Sequence, residues 1–164
     1  MNETLIFEET GARLNLLTNA ILIKWESLVR QAVVEADKEN PIILLDHMPQ
    51  ILEHLGVILK SGVIDPIKLS KAHGFQRVVL TDYSLEDVFK EYSFLRETLI
   101  DYLYPIGNMS CTKLIHSYLD LLCRNSVIEY VRHLQLPGRP QGPASEKMRE
   151  ESAILPLVPA KEFI

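Results

Sequence analysis

Glycine, cysteine and clustered basic residues are all scarce in this chain, and each scarcity excludes something. The seven glycines are scattered through 164 residues, so there is no Gly-rich loop of the P-loop or dinucleotide-binding kind. The only cysteines are Cys111 and Cys123. In what reads as one helix they lie about 18 Å apart, too far for a disulfide, and both are expected to be reduced and partly buried. The 17 basic side chains are outnumbered by 22 acidic ones and spread along the chain, for a net charge of -5. That argues against a nucleic-acid surface, which needs clustered Lys and Arg. The longest apolar runs, Ala20–Ile23 and Pro41–Leu45, fall far short of the roughly 20 residues of a membrane span. Met1–Thr10 carries Glu3, Glu8 and Glu9 and no basic region ahead of an apolar core, so it does not read as a secretory signal. A cytoplasmic protein without nucleic-acid or membrane partners is expected.

What the chain does have is apolar residues, 47% of the total, enough for one core, placed almost everywhere at helical steps. The spacing predicts a long amphipathic helix over Ala12–Ala36, with Leu14, Leu17, Ile21, Trp25, Leu28 and Ala32 on one face. A second starts with Asn40 as N-cap and Pro41 in its first turn, and carries Leu45, Met48, Ile51, Leu52, Leu55 and Ile58; Pro49 either kinks it or splits off its first turn. Asp65 and Pro66 open a third, running to about Leu80. Ser84, with Asp87 three residues on, opens a fourth with the stripe Leu85, Val88, Phe89, Tyr92, Leu95, Leu99 and Leu103. Pro105 and Gly107 stop it. Ser110 is read as the start of a last helix through Leu114, Tyr118, Leu121 or Leu122, Ile128 and Val131. The expected fold is all-α, a bundle of about five helices over residues 1–134 with a distant likeness to globins, followed by a Pro-rich linker or tail over 135–164.

Five histidines raise the question of metal or phosphoryl chemistry. His47 and His54 share a helix face about 10.5 Å apart, too far for one ion, and the four-residue pair His116 and Asp120 lacks a second histidine. No histidine is followed by the Lys and Gly of a phosphotransfer domain, and none sits in the context of a dimerising kinase helix. Cys111, near a helix start, reads as an inert core thiol rather than a nucleophile. No catalytic constellation, metal site or cofactor follows from the sequence, and the chain is expected not to be an enzyme in itself.

Two segments stand apart: Ala72-His73-Gly74-Phe75-Gln76-Arg77 in the third helix and Glu91-Tyr92-Ser93-Phe94-Leu95-Arg96 in the fourth. His73 and Arg77 lie one turn apart on one face. Gly74 in mid-helix costs about 1 kcal/mol relative to alanine, which points to close approach of a neighbouring backbone or a ligand. Glu91 is placed to pair with Arg77 or Arg96. The group His73, Gly74, Arg77, Glu91, Tyr92 and Arg96 is either an internal polar network that fixes how two helices cross, with His73 neutral and hydrogen-bonded, or the lining of a ligand pocket or signal switch.

With these motifs in this order, with the helix start Tyr83-Ser84-Leu85-Glu86-Asp87-Val88 between them and with Trp25 in the first helix, residues 41–134 resemble the N-terminal domain of RsbT co-antagonist proteins and of related bacterial sensor histidine kinases. The resemblance implies a helical signal-input domain, cytoplasmic and dimeric, set ahead of a kinase, PAS or STAS module in cis or acting on a regulatory partner in trans within signal transduction of the two-component kind. It implies no particular ligand. Two other readings stay open: a globin-like haem or chromophore sensor with His73 or His116 as axial ligand, and a plain dimerisation module.

Overall fold

A computed structural model describes residues 3–61, 67–79, 83–104 and 108–135. Seven helical segments, and no strand, occur among the described residues: α1 (Glu3–Ala32), α2 (Val34–Lys38), α3 (Pro41–Leu45), α4 (Met48–Ser61), α5 (Ile67–Val79), α6 (Leu85–Leu103) and α7 (Met109–Leu134). Five are long and two are single-turn connectors, so the all-α bundle of about five helices holds.

The boundaries follow from local chemistry. α1 begins well before Ala12, because Ile6 and Phe7 pack on the core and Thr10 is buried. The Thr10 hydroxyl donates to the Ile6 carbonyl at 2.7 Å, and its oxygen lies 3.6 Å from Cys111 Sγ. The helix ends at Ala32 rather than Ala36, since Val33 is extended (φ -121, ψ 105). Arg30 holds the corner that follows: its Nη1 donates to the carbonyls of Ala36 at 2.6 Å and Glu39 at 3.0 Å, while its Nε donates to Glu26.

Asn40 caps α3 by accepting the Ile42 N–H at 2.9 Å, with Pro41 at the first helical position. The chain then turns at Asp46, the one non-glycine with positive φ (38) among the described residues. α4 restarts at Met48, so Pro49 stands in its first turn, where no N–H is required, and one turn has been split off rather than kinked. The stretch Pro41–Ser61 is long and apolar enough to cross a membrane by length and composition. In this fold it is two helices, and the inner face of α4, with Met48, Ile51, Leu52, Leu55 and Ile58, is completely buried in the core.

α6 carries the expected capping box: the Asp87 N–H donates to Ser84 Oγ at 3.2 Å, and the Ser84 N–H donates to Asp87 Oδ2 at 3.0 Å. α7 is capped by Asn108, which accepts the Cys111 N–H at 2.9 Å, so Ser110 lies inside the helix. Of the predicted stripe residues, Ala32 is exposed and Phe89 and Ile128 are about half exposed. The inward face of α7 includes the expected Tyr118 and Leu122, together with Cys111, Ile115, Leu119, Ser126 and Tyr130. The Asp65–Pro66 helix start, Pro105, Gly107 and residues 136–164 lie outside the described residues.

α1 lies between α4 and α6, while α5 packs chiefly on α7, which also meets α6. The core is centred on Trp25, Leu52, Leu55, Leu95, Leu99 and Tyr118, each almost completely buried. Burying a side chain of this size is worth about 1.5–3 kcal/mol.

Candidate functional site

In the middle of this apolar interior sits a cluster of charge. Glu91 of α6 is 0% exposed, as are His73 and Arg77 of α5. His73 Nε2 stands 3.0 Å from Glu91 Oε2; Arg77 Nε donates to Oε1 at 2.9 Å and to Oε2 at 3.0 Å; Tyr83 Oη donates to Oε1 at 2.6 Å. Both carboxylate oxygens are thus doubly occupied, which is what a buried charge requires. The Glu91 backbone is held as well, since Trp25 Nε1 of α1 donates to its carbonyl at 2.9 Å.

Arg77 joins this cluster to α3. Its Nη2 donates to the Leu44 carbonyl at 2.7 Å and its Nη1 to the Ile43 carbonyl at 3.4 Å, satisfying acceptors that a helix C-terminus leaves open. Its guanidinium also lies 5.2 Å from the centre of the Tyr83 ring. His73 is flanked by a second carboxylate: Nδ1 is 3.7 Å from Asp46 Oδ2, and the same carboxylate pairs with His47. Nδ1 itself is buried and makes no hydrogen bond among the described residues.

Gly74 allows α5 to come this close. A Cβ there would stand 2.2 Å from the Ser126 carbonyl oxygen of α7, so the neighbour that requires glycine is backbone. Beside it Ser126 Oγ donates to the Ser70 carbonyl at 2.7 Å. With its proton so used, Ser126 accepts from Tyr92 Oη, 2.7 Å away, and the Tyr92 ring meets His73 edge-on at 5.6 Å between centroids. Tyr130 of α7 donates its hydroxyl to the Tyr83 carbonyl.

The electrostatics are those of an enclosed ion pair. Burial acts to raise the Glu91 carboxyl, but the Arg77 charge and the contact with His73 outweigh it and hold the group well below the usual carboxylate range. Burial acts to lower Arg77, and Glu91 raises it beyond its ordinary value. Burial and the Glu91 charge push the Tyr83 phenol up, and burial does the same to Tyr92. Asp46, raised by burial, is brought below its ordinary value by His73 and His47. The cluster therefore holds a carboxylate and a guanidinium at neutral pH, with both phenols protonated as donors.

Of the residues singled out by sequence, His73, Gly74, Arg77, Glu91 and Tyr92 come together here. Arg96 does not: its Nη2 pairs with Asp120 of α7 on the surface, away from Glu91. Sequence reasoning missed Tyr83, Asp46 and Ser126. Asp46 left a signal, as the acid interrupting the apolar run from Pro41 to Met48, whereas Tyr83 stands in the connection before α6 with no periodicity to mark it. His73, considered as an axial ligand, is completely buried, with Nε2 bonded to Glu91 and Nδ1 3.7 Å from Asp46. Among the described residues no three His, Cys, Asp or Glu side chains converge as a metal site. Compared with known protein families, with characterised proteins and with solved structures, the chain matches none.

Proposed function

We propose that this chain is the signal-input domain of a bacterial signal-transduction protein such as a sensor histidine kinase, non-catalytic in itself, dimeric, and coupled to a kinase, PAS or STAS module in cis or to a partner in trans. The observation that carries the reading is the buried Glu91 cluster: the Glu91 carboxylate joins α6 to α5, its backbone carbonyl holds Trp25 of α1, Arg77 reaches α3, and Tyr92 reaches α7. An ion pair in an apolar core contributes little to stability compared with apolar residues of the same volume. Its directional bonds hold or release as a set, which suits it to a switch. Asp46, at the edge of the cluster, adds backbone strain of about 1–3 kcal/mol of the kind found at functional sites.

The dimer reading is supported by the outer face of α1. Leu5, Ala12, Leu16 and Ile23 form a stripe opposite the core, with Leu16 83% and Ile23 70% exposed. The steps of four and seven residues are those of a coiled-coil seam. Glu8 and Arg13, both exposed, flank the stripe five residues apart on opposite sides, so in a parallel pair Glu8 of one copy faces Arg13 of the other. Native mass spectrometry of the full chain tests this: a dimer is expected, dissociating when Leu16 and Ile23 are both replaced by glutamate while helicity is kept. A wild-type monomer at micromolar concentration overturns it.

A further inference from the structure

Next to the buried cluster, between α6 and α7, lies a cleft of about 370 Å³, within the size range of small-molecule sites, roughly 300–1,000 Å³. Phe89, Tyr92 and Val127 give it an apolar part, and Arg96, Asp120 and Arg124 a charged one. Two guanidiniums face one carboxylate, a local excess of positive charge in a chain whose net charge is -5. Arg96 is only partly engaged: Nη2 pairs with Asp120, while Nε is buried and meets no hydrogen-bond acceptor among the described residues. Arg124 is exposed and has no ion-pair partner among the described residues.

We propose that this cleft binds a small aromatic carboxylate, its carboxylate on Arg96 and Arg124 and its ring against Phe89 and Tyr92. The planar fork of arginine matches a carboxylate, and Arg124, exposed and without an ion-pair partner among the described residues, supplies a second guanidinium to it. An aromatic body suits a lining that includes two aromatic rings, offset or edge-on. Asp120 is the internal competitor that holds Arg96 when the cleft is empty. Tyr92 belongs to both places: it lines the cleft, its hydroxyl is bonded to Ser126, and its ring edge touches His73. An occupant that shifts the Tyr92 ring therefore acts on the Glu91 cluster directly, which supplies the input reading with a ligand class and rests on that reading for its consequence.

The test is calorimetric titration of the full chain with benzoate at constant ionic strength, with acetate and inorganic phosphate as comparison anions. Saturable binding is expected for benzoate, about tenfold weaker for acetate, which lacks the ring, and about tenfold weaker for benzoate with Arg96→Gln. Asp120→Asn is expected to tighten binding several-fold by releasing Arg96, a gain that a purely structural Arg96–Asp120 pair does not produce. Cys123 also lines the cleft, so benzoate is expected to slow its alkylation by iodoacetamide in the wild-type chain, a readout that survives if Arg96→Gln fails to fold. Absence of saturable heat at about 10 mM benzoate, phosphate binding as tightly as benzoate, unchanged affinity in Arg96→Gln, or unprotected Cys123 overturns the proposal. A dimer by native mass spectrometry that binds no benzoate removes the cleft and leaves the input domain standing; a monomer that binds it does the reverse.

Discussion

The crossing of α1 with α4 and the crossing of α5 with α7 both rely on glycine, in different surroundings. At the first, a Cβ on Gly56 would meet the Asn15 side-chain oxygen at 2.9 Å, and one on Gly11 would meet the Gly56 carbonyl at 3.3 Å. The residues around it, Leu14, Leu52, Leu55 and Leu59, are apolar and buried. At the second, a Cβ on Gly74 would stand 2.2 Å from the Ser126 carbonyl, amid Ser70, His73, Arg77, Tyr92 and Ser126. The apolar crossing has non-directional contacts and a flexible side chain to absorb change. The polar one has fixed donors and acceptors on rigid backbone, so it holds one arrangement or moves to another as a unit.

The largest contrast is expected from charge. Arg77→Ala leaves Glu91 buried without its cation and the α3 carbonyls without a donor, a loss of about 3–5 kcal/mol, whereas Lys60→Ala at the exposed end of α4 changes little. Urea unfolding of the two variants measures the difference, and equal midpoints would show that the buried pair is not structural. A smaller contrast separates the glycines. Gly74→Ala is expected to cost about 3 kcal/mol, the upper end of overpacking effects, and Gly56→Ala less than about 1 kcal/mol. Their melting temperatures, compared side by side, check this; the reverse order would mean that α5 and α7 separate easily.

The smallest contrast is with pH. The Glu91 carboxyl lies at about 2 in the folded chain against 4.5 for the free group, so its contribution to stability is complete above about 4.5 and is lost as pH falls toward about 2. Glu91→Gln is expected to flatten that part of the stability profile, measured by denaturation between those limits. An unchanged profile would place the acid sensitivity on other carboxylates.

Features set by neighbours in the chain were readable without the structure. Asn40, Pro41, Ser84 and Asp87 do what helix chemistry asks of them, because a cap bonds N–H groups two or three residues away. Gly74 was readable as a close approach and Glu91 as an acid in need of a cation. The choice between Arg77 and Arg96 was readable only in part, since Arg77 lies on a different helix whose placement the sequence does not give. Helical geometry does argue against Arg96: five residues beyond Glu91 at about 100° each, it points about 140° away around α6. The helix expected from Ala12 in fact starts at Glu3, and Gly11 sits inside it, facing the α4 backbone. Asn108 and Ser110 are both able to cap, and local sequence does not rank them. Asp46 and Tyr83 enter the cluster from turns, where no periodicity announces which way a side chain faces.

Asp46 also bears on how this protein would respond to laboratory selection. Glycine accepts φ 38 freely, and an aspartate does not, so a screen for heat resistance would be expected to return Asp46→Gly as a gain of about 1 kcal/mol. The same exchange removes one of the two carboxylates flanking His73. If the chain is an input domain, its hardiest descendants would be those that had grown deaf.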